Sequence, residues 1–290
     1  MACRRKPRQR LTPALIGSPG SFTELRAQEA STEAIYITAL VGFYEYLVAE
    51  DLWPDKLAKV KSILKRRLRR VTPLPPPFAR EQIDKIISYV RASQAAATTE
   101  PREQLRRLRD RAFVLTLADT GLRISEACRL TTGHFDWPER RAQVEIKGGR
   151  QSTVRFSDRA VAAIQAYLVL RDTVIVPTGM RRNALPIFAR HDDGAGSKLL
   201  PLNSLGARKL VDRAVVDAVG AEAKGTVTPH SFRHYFVTVV LRASGGNLKM
   251  AQRLARHKNI SITERYARVS DEEEDRGYHE IFNEQKPGKK

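Results

Sequence analysis

The sequence predicts a mainly helical (α+β) protein of two domains, the larger of which carries a small antiparallel sheet. Three observations support this fold class. Apolar residues recur at helical spacing through most of the 290 residues. The stretch 143–156 instead alternates polar and apolar residues around a Gly-Gly loop, which is typical of a β-hairpin. The stretch 71–77 contains four prolines, so it cannot continue a helix and is expected to separate the domains.

The prolines and charges divide the chain into five predicted segments. These are a flexible basic arm at 1–20, a small helical domain at 21–72, a proline-rich linker at 73–79, a larger domain at 80–270 and a C-terminal tail at 271–290. The small domain is predicted to contain two helices. The second, within 54–70, is strongly basic, and the first places five apolar residues on a face that needs a partner. These five residues are Tyr36, Leu40, Phe43, Tyr44 and Leu47.

The larger domain contains the remaining predicted elements. Apolar residues within 83–90 and 105–115 predict two helices, the second of which ends near Gly121. The hairpin that follows places Lys147 at its tip. Further helix starts are predicted at Thr228 with Pro229, at Asn247, and at Ser261 in the segment that bears Tyr266.

The charge of the chain predicts a polyanionic partner. Lysine and arginine number 51 against 32 aspartate and glutamate residues, which gives a formal net charge of +19 and exceeds what solubility requires. Basic residues cluster within 4–10, 56–70 and 102–111. One such cluster is equally typical of a solvated helix face, but three favour nucleic acid. The residues expected to contact DNA are Arg4, Arg5, Lys6, Lys61, Lys65, Arg66, Arg67, Arg69 and Arg70.

No membrane span, metal site or cofactor is predicted. The chain has no apolar run of roughly 18–20 residues, and its charged N-terminus is not followed by an apolar signal segment, so we expect a cytoplasmic protein. Cys3 and Cys128 are too few and too isolated for a disulfide framework or a zinc site. Cys128 lies in an apolar helical stretch and is expected to be a buried free thiol.

Six polar groups form the candidate site: Arg123, Lys147, His230, Arg233, His257 and Tyr266. Two arginines, a lysine and two histidines can hold a phosphodiester and manage its protons, and a tyrosine hydroxyl can attack it. His230 and Arg233 lie three residues apart near a predicted helix start, so both can face one anion. The set indicates DNA strand cleavage without a metal.

Each group also has an ordinary explanation. Arg123 can form a salt bridge with Glu126, and a lysine such as Lys147 often keeps a hairpin tip soluble. A lone histidine or tyrosine in a helical region, such as His257 or Tyr266, is usually a half-buried packing residue. The order and separation of the six groups favour the functional interpretation.

These motifs resemble those of the tyrosine recombinases of the phage-integrase and Xer type. The resemblance covers roughly residues 75–270. It rests on Thr-Gly-Leu-Arg-Ile-Ser-Glu at 120–126, the hairpin lysine, His-x-x-Arg at 230–233, and the terminal histidine and tyrosine within 254–266. Family members usually carry Leu-Gly-His where this chain has Leu-Ala-Arg-His, so Arg256 occupies the position of a small residue.

The resemblance implies a role for each residue. Tyr266 would attack a phosphodiester to give a 3′-phosphotyrosyl link and a free 5′-hydroxyl, which requires neither ATP nor a metal because the link stores the phosphodiester energy. By the same resemblance, Arg123 and Arg233 would clamp the phosphate, and His257 would donate a hydrogen bond to it. Lys147 would protonate the leaving 5′-oxygen, and His230 would assist proton transfer at the tyrosine. Glu126 would orient a histidine or pack the site.

The implied partner is double-stranded DNA with specific recombination sites. Four protomers would act together on it, each being a monomer or dimer off DNA. The tail at 271–290 would pass as a helix between neighbouring protomers, or else be disordered. Two other functions remain open: strand relaxation of the type IB topoisomerase kind, and a DNA-binding regulator or architectural protein on a recombinase scaffold. A binding module, however, needs phosphate contacts but no positioned tyrosine.

Overall fold

The chain divides into two compact units, Met1–Leu74 and Pro75–Lys290, as seen in a computed structural model. The structure describes residues 30–52, 57–67, 80–93, 100–146, 149–175, 181–196 and 198–264. The fold is mostly helical with one small antiparallel sheet, which confirms the predicted class. Among the helices within these ranges, none is long and apolar enough to cross a membrane.

The first unit contains two packed helices, α1 (Ala30–Ala49) and α2 (Leu57–Arg67). Ile37, Leu47 and Leu64 are buried, whereas Tyr36 and Phe43 are each more than half exposed. The predicted packing face of the first helix was therefore partly wrong. Apolar residues occupy nearly every side of α1, so their spacing could not single out the face that α2 covers.

The larger unit contains eight α-helices, four short 3-10 helices and the sheet within its described part. The helices are α3 (Arg80–Ala92), α4 (Pro101–Thr120), α5 (Ile124–Cys128), α6 (Asp158–Val174), α7 (Ser204–Val219), α8 (Pro229–Ala243), α9 (Leu248–Ala255) and α10 (Ser261–Glu264). Helix α4 is central, because it contacts α3, α5, α6, α7 and α8. Phe113, Leu115 and Leu117 of α4 have no exposed surface, and the Phe113 ring meets Phe188 edge-on at 5.0 Å between centroids.

The sheet has the order β1–β2–β3, with strands Phe135–Asp136, Arg141–Ile146 and Arg150–Arg155, all antiparallel. Strands β2 and β3 pair from Arg141 opposite Arg155 to Ile146 opposite Arg150, which confirms the predicted hairpin. The two-residue strand β1 was not predicted, because it is too short to show an alternation. Lys147, which the sequence predicts at the hairpin tip, lies outside the described residues.

Local capping chemistry fixes the ends of the helices that carry the candidate site. Thr228 is the N-cap of α8, and Pro229 is the first helical residue. The backbone N–H of Thr228 donates a hydrogen bond to the Ser231 hydroxyl at 3.0 Å. The Asn247 side chain caps α9 by accepting the Met250 N–H at 2.9 Å. Both predicted starts are confirmed. A small apolar cluster of Val237, Leu241, Ala251 and Ala255 packs α8 against α9.

Candidate functional site

The site is built around the turn that ends α4. Gly121 has φ 58°, a left-handed conformation that favours glycine, and its N–H closes the helix on the Leu117 carbonyl at 3.2 Å. A Cβ atom at Gly121 would lie 2.5 Å from Cδ1 of Phe236, so any side chain there would collide with the ring. The Gly121 carbonyl accepts hydrogen bonds from two guanidinium groups, those of Arg233 at 2.5 Å and Arg256 at 3.2 Å.

Arg123 leaves this turn immediately before α5. Its guanidinium Nη1 donates to Oε1 of Glu126 at 2.8 Å, and its backbone N–H donates to Oε2 at 3.0 Å. The salt bridge considered as the ordinary explanation is therefore present. The Arg123 side chain nevertheless remains 48% exposed, whereas Glu126 is buried, so the guanidinium is accessible to a ligand while the carboxylate is not.

His230 and Arg233 project from the first turns of α8. Arg233 is buried and donates to the carbonyls of Gly121 and Ala255, so it joins the end of α4 to the end of α9. His230 is more exposed, and its ring packs edge-on against His234 at 4.5 Å. Partial burial and the charges of Arg233 and Arg123 lower the pKa of His230. Its imidazole is therefore neutral near pH 7.

His257 follows α9 and is buried. Its Nδ1 lies 2.8 Å from the Thr263 hydroxyl. Burial, together with the charges of Arg233 and Arg123, lowers the pKa of His257 to about 4, so this imidazole is also neutral near pH 7.

The structure thus brings four of the six candidates to one junction. Arg233 bonds the Gly121 carbonyl two residues before Arg123 and the Ala255 carbonyl two residues before His257, and His230 lies one turn before Arg233 on α8. Tyr266 and Lys147 lie outside the described residues. Sequence reasoning noted Arg256 only as a departure from the family pattern, and it missed Thr263 and His234. The only available signal for His234 was its spacing of four residues from His230, which places both on one helix face.

The residues expected to contact DNA are only partly described. Lys61 forms an ion pair with Glu45 at 2.6 Å within the first unit, and Arg66 is exposed. The backbone of α2 includes Lys65 and Arg67, but their side chains are not described. Five further residues of this set lie outside the described ranges, namely Arg4, Arg5, Lys6, Arg69 and Arg70. Cys128 is buried, as expected, and burial raises the pKa of its thiol to about 12. Over the part of the chain that the structure describes, no group of three or more His, Cys, Asp or Glu residues could hold a metal ion.

Comparison with known families shows that the chain is a tyrosine recombinase. The chain belongs to the phage integrase family, whose model matches residues 77–273. It is 29% identical over 257 residues to tyrosine recombinase XerD of Brucella melitensis, covering 89% of this chain and 76% of that protein. It is also 29% identical over 245 residues to tyrosine recombinase XerC of Myxococcus xanthus, covering 84% and 73%. The fold is similar to that of XerH site-specific recombinase bound to palindromic difH substrate, with a TM-score of 0.64, 16% identity, and coverage of 90% of this chain and 70% of that chain.

Proposed function

We propose that this tyrosine recombinase cleaves and rejoins DNA strands at specific sites through a covalent 3′-phosphotyrosyl link to Tyr266. The observation that carries the proposal is the convergence of Arg123, Arg233, His230 and His257 on one helix junction, which the hydrogen bonds of Arg233 to the Gly121 and Ala255 carbonyls hold together. A partly exposed guanidinium beside a buried one suits a phosphodiester that gains negative charge as it becomes pentacoordinate.

The proposed reaction is a transesterification. The Tyr266 hydroxyl oxygen forms a bond to phosphorus as the bond to the 5′-oxygen breaks, so the number of phosphoester bonds is unchanged and no oxidant, nucleotide or metal is consumed. His230, neutral near pH 7, accepts the tyrosine proton, and Lys147 supplies a proton to the leaving 5′-oxygen. In the second step a 5′-hydroxyl from a partner strand attacks the link and releases Tyr266.

The remaining side chains bind the phosphate. Arg123 contacts the non-bridging oxygens directly, and Arg233 adds a positive charge from its buried position. With the Thr263 hydroxyl donating to Nδ1, His257 carries its own proton on Nε2 and donates it to a phosphate oxygen. Glu126 holds Arg123 in place and does not itself react.

The partner is double-stranded DNA, on which four protomers bring two sites together. Similar solved structures include XerH site-specific recombinase bound to difH substrate in pre-cleavage and post-cleavage complexes. The net charge of +19 supports a large electrostatic contribution to binding, and the basic clusters within 56–70 and 102–111 assign part of it to both the 21–72 domain and the 80–270 domain. Residues 271–290 would supply the helix that neighbouring protomers exchange, and the reaction would take place in the cytoplasm.

Trapping the covalent intermediate tests this function. Nicked duplexes drawn from the DNA flanking the gene should release a short fragment after cleavage and leave a protein–DNA adduct on a denaturing gel. Tyr266→Phe should abolish the adduct and leave DNA affinity nearly unchanged, because it removes one nucleophilic oxygen and no charge. The control is Tyr89→Phe, which removes an exposed hydroxyl 3.4 Å from Asp217.

The outcomes separate the candidate functions. An adduct in wild type and Tyr89→Phe, with strand exchange between two sites, supports recombination. An adduct accompanied by relaxation of supercoiled DNA, without strand exchange between two sites, points to topoisomerase activity. Binding without any adduct points to a regulator or architectural protein, and an adduct that persists in Tyr266→Phe places the nucleophile elsewhere.

A further inference from the structure

Arg256 has a backbone conformation that a residue with a side chain rarely adopts. It ends α9 with φ 58° and ψ 39°, in the left-handed region, immediately before His257. This region is unfavourable for residues with a Cβ atom and is ordinarily occupied by glycine. An arginine held there indicates that its side chain makes contacts that compensate for the backbone strain.

Those contacts are buried and converge on the α4–α5 turn. The Arg256 side chain is only 4% exposed. Its Nη1 donates to the carbonyls of Leu254 at 3.1 Å and Thr120 at 3.4 Å, and its Nη2 donates to the carbonyl of Gly121 at 3.2 Å. Nη2 also lies 3.5 Å from Oε2 of Glu126. One guanidinium therefore ties the segment that carries His257 to the turn that carries Arg123.

Glu126 lies between two arginines of different exposure. Its carboxylate accepts the Arg123 guanidinium and backbone N–H on one side and faces Arg256 on the other. Burial alone would raise the pKa of Glu126, but the hydrogen bonds from Arg123 and the charge of Arg256 lower it. A buried carboxylate needs a positive partner. Without Arg256, that partner would have to be Arg123 alone.

We propose that Arg256 is a positioning residue that shares the charge of Glu126, so that Arg123, which stays bonded to this carboxylate through Nη1, keeps the exposed remainder of its guanidinium turned to the scissile phosphate. The proposal rests on the proposed function, since it assigns a purpose to the orientation of Arg123. Arg256 itself does not touch the DNA, because its side chain is enclosed between Glu126 and the carbonyls of Thr120 and Gly121.

The test compares three variants in single-turnover adduct formation at saturating DNA. Arg256→Gly removes the guanidinium and suits the left-handed backbone. Arg256→Lys keeps the positive charge but lacks the planar set of N–H donors of a guanidinium. Arg253→Ala removes an equal charge from the exposed face of the same helix. We expect adduct formation to slow on the order of 10²-fold in Arg256→Gly, the size of effect that misplacement of a binding group by about 1 Å produces. The slowing should be smaller in Arg256→Lys and absent in Arg253→Ala, with DNA affinity similar in the Gly and Ala variants.

A further variant separates positioning from simple support of the fold. If Arg256 acts by sharing the charge of Glu126, then Glu126→Gln combined with Arg256→Gly should slow adduct formation less than the product of the two single effects. Multiplicative effects, or a rate for Arg256→Gly within twofold of Arg253→Ala, would overturn the inference. Slowing that disappears when temperature is lowered to match thermal stability would also overturn it. A wild-type protein that forms no adduct would instead reject the proposed function, and the inference with it.

Discussion

Substitution of Gly121 by alanine should destabilise the larger unit by an amount that the structure sets. The left-handed backbone, φ 58°, costs an alanine about 1 kcal/mol relative to glycine. The new Cβ would lie 2.5 Å from Cδ1 and 2.9 Å from Cγ of Phe236, which is overpacking against a ring held between α8 and α9. Overpacking of this kind costs about 1–3 kcal/mol. Together these terms predict a loss of about 3 kcal/mol in the free energy of unfolding, or about 6–12 °C in Tm for a domain of this size.

Urea unfolding of Gly121→Ala should therefore show a lower midpoint with an unchanged slope. Gly245→Ala is the matched control, because Gly245 has φ 59° and no atom within 4 Å of its would-be Cβ, so it measures the backbone cost alone. Replacing Phe236 by leucine in the Gly121→Ala background should recover most of the stability that is lost through overpacking. Equal destabilisation by Gly121→Ala and Gly245→Ala would refute the collision with Phe236.

Two further outcomes follow from the burial of the charged groups. Arg123→Ala and Arg233→Ala should each slow adduct formation by about 10²-fold or more. Arg233→Ala should lower the urea midpoint more than Arg123→Ala, because Arg233 is buried and bonded to two carbonyls, whereas Arg123 is half exposed and its loss leaves Arg256 beside Glu126. Equal midpoints would contradict this. Burial and neighbouring charges lower the pKa of His257 to about 4 and that of His191 to about 3, below the unfolded value of about 6.5. Between pH about 6.5 and 4 the unfolded chain therefore binds more protons than the folded chain, so the free energy of unfolding should fall as the pH is lowered through this range. A urea midpoint that rises on acidification would contradict this expectation.

The parts of the structure that the sequence predicted depend on local chemistry. The ends of α4 and α8 follow from a glycine after the helix and a Thr-Pro pair before it, and each signal acts within four residues. The β2–β3 hairpin follows from alternation along the chain. The buried face of α1 was predicted less well, because which side of an all-round apolar helix becomes buried depends on where α2 packs.

The contacts of Arg256 could not be predicted for the same reason. Its partner Glu126 is 130 positions away in the sequence, and no local pattern relates the two. Arginine after a short helix ordinarily indicates a favourable interaction of the charge with the helix C-terminus. Only the folded arrangement shows that the side chain turns back onto the end of a different helix, α4.

The Gly121 carbonyl explains why the candidate site and the local fold depend on each other. A carbonyl oxygen has two lone pairs, and here they accept the guanidinium groups of Arg233 on α8 and Arg256 at the end of α9. Among the described residues, the apolar cluster between α8 and α9 contains four buried residues, two of them alanines, with Phe236, Val240 and Leu248 packed against it, so the apolar contact between these two helices is small. Helix α8 also contacts α4 and contributes Phe232 to the main core, and the hydrogen bond from Arg256 ties the end of α9 to the same turn. A change in the Gly121 turn therefore displaces Arg123, Arg233 and the segment before His257 together, which is why small substitutions at this glycine are expected to affect stability and cleavage at the same time.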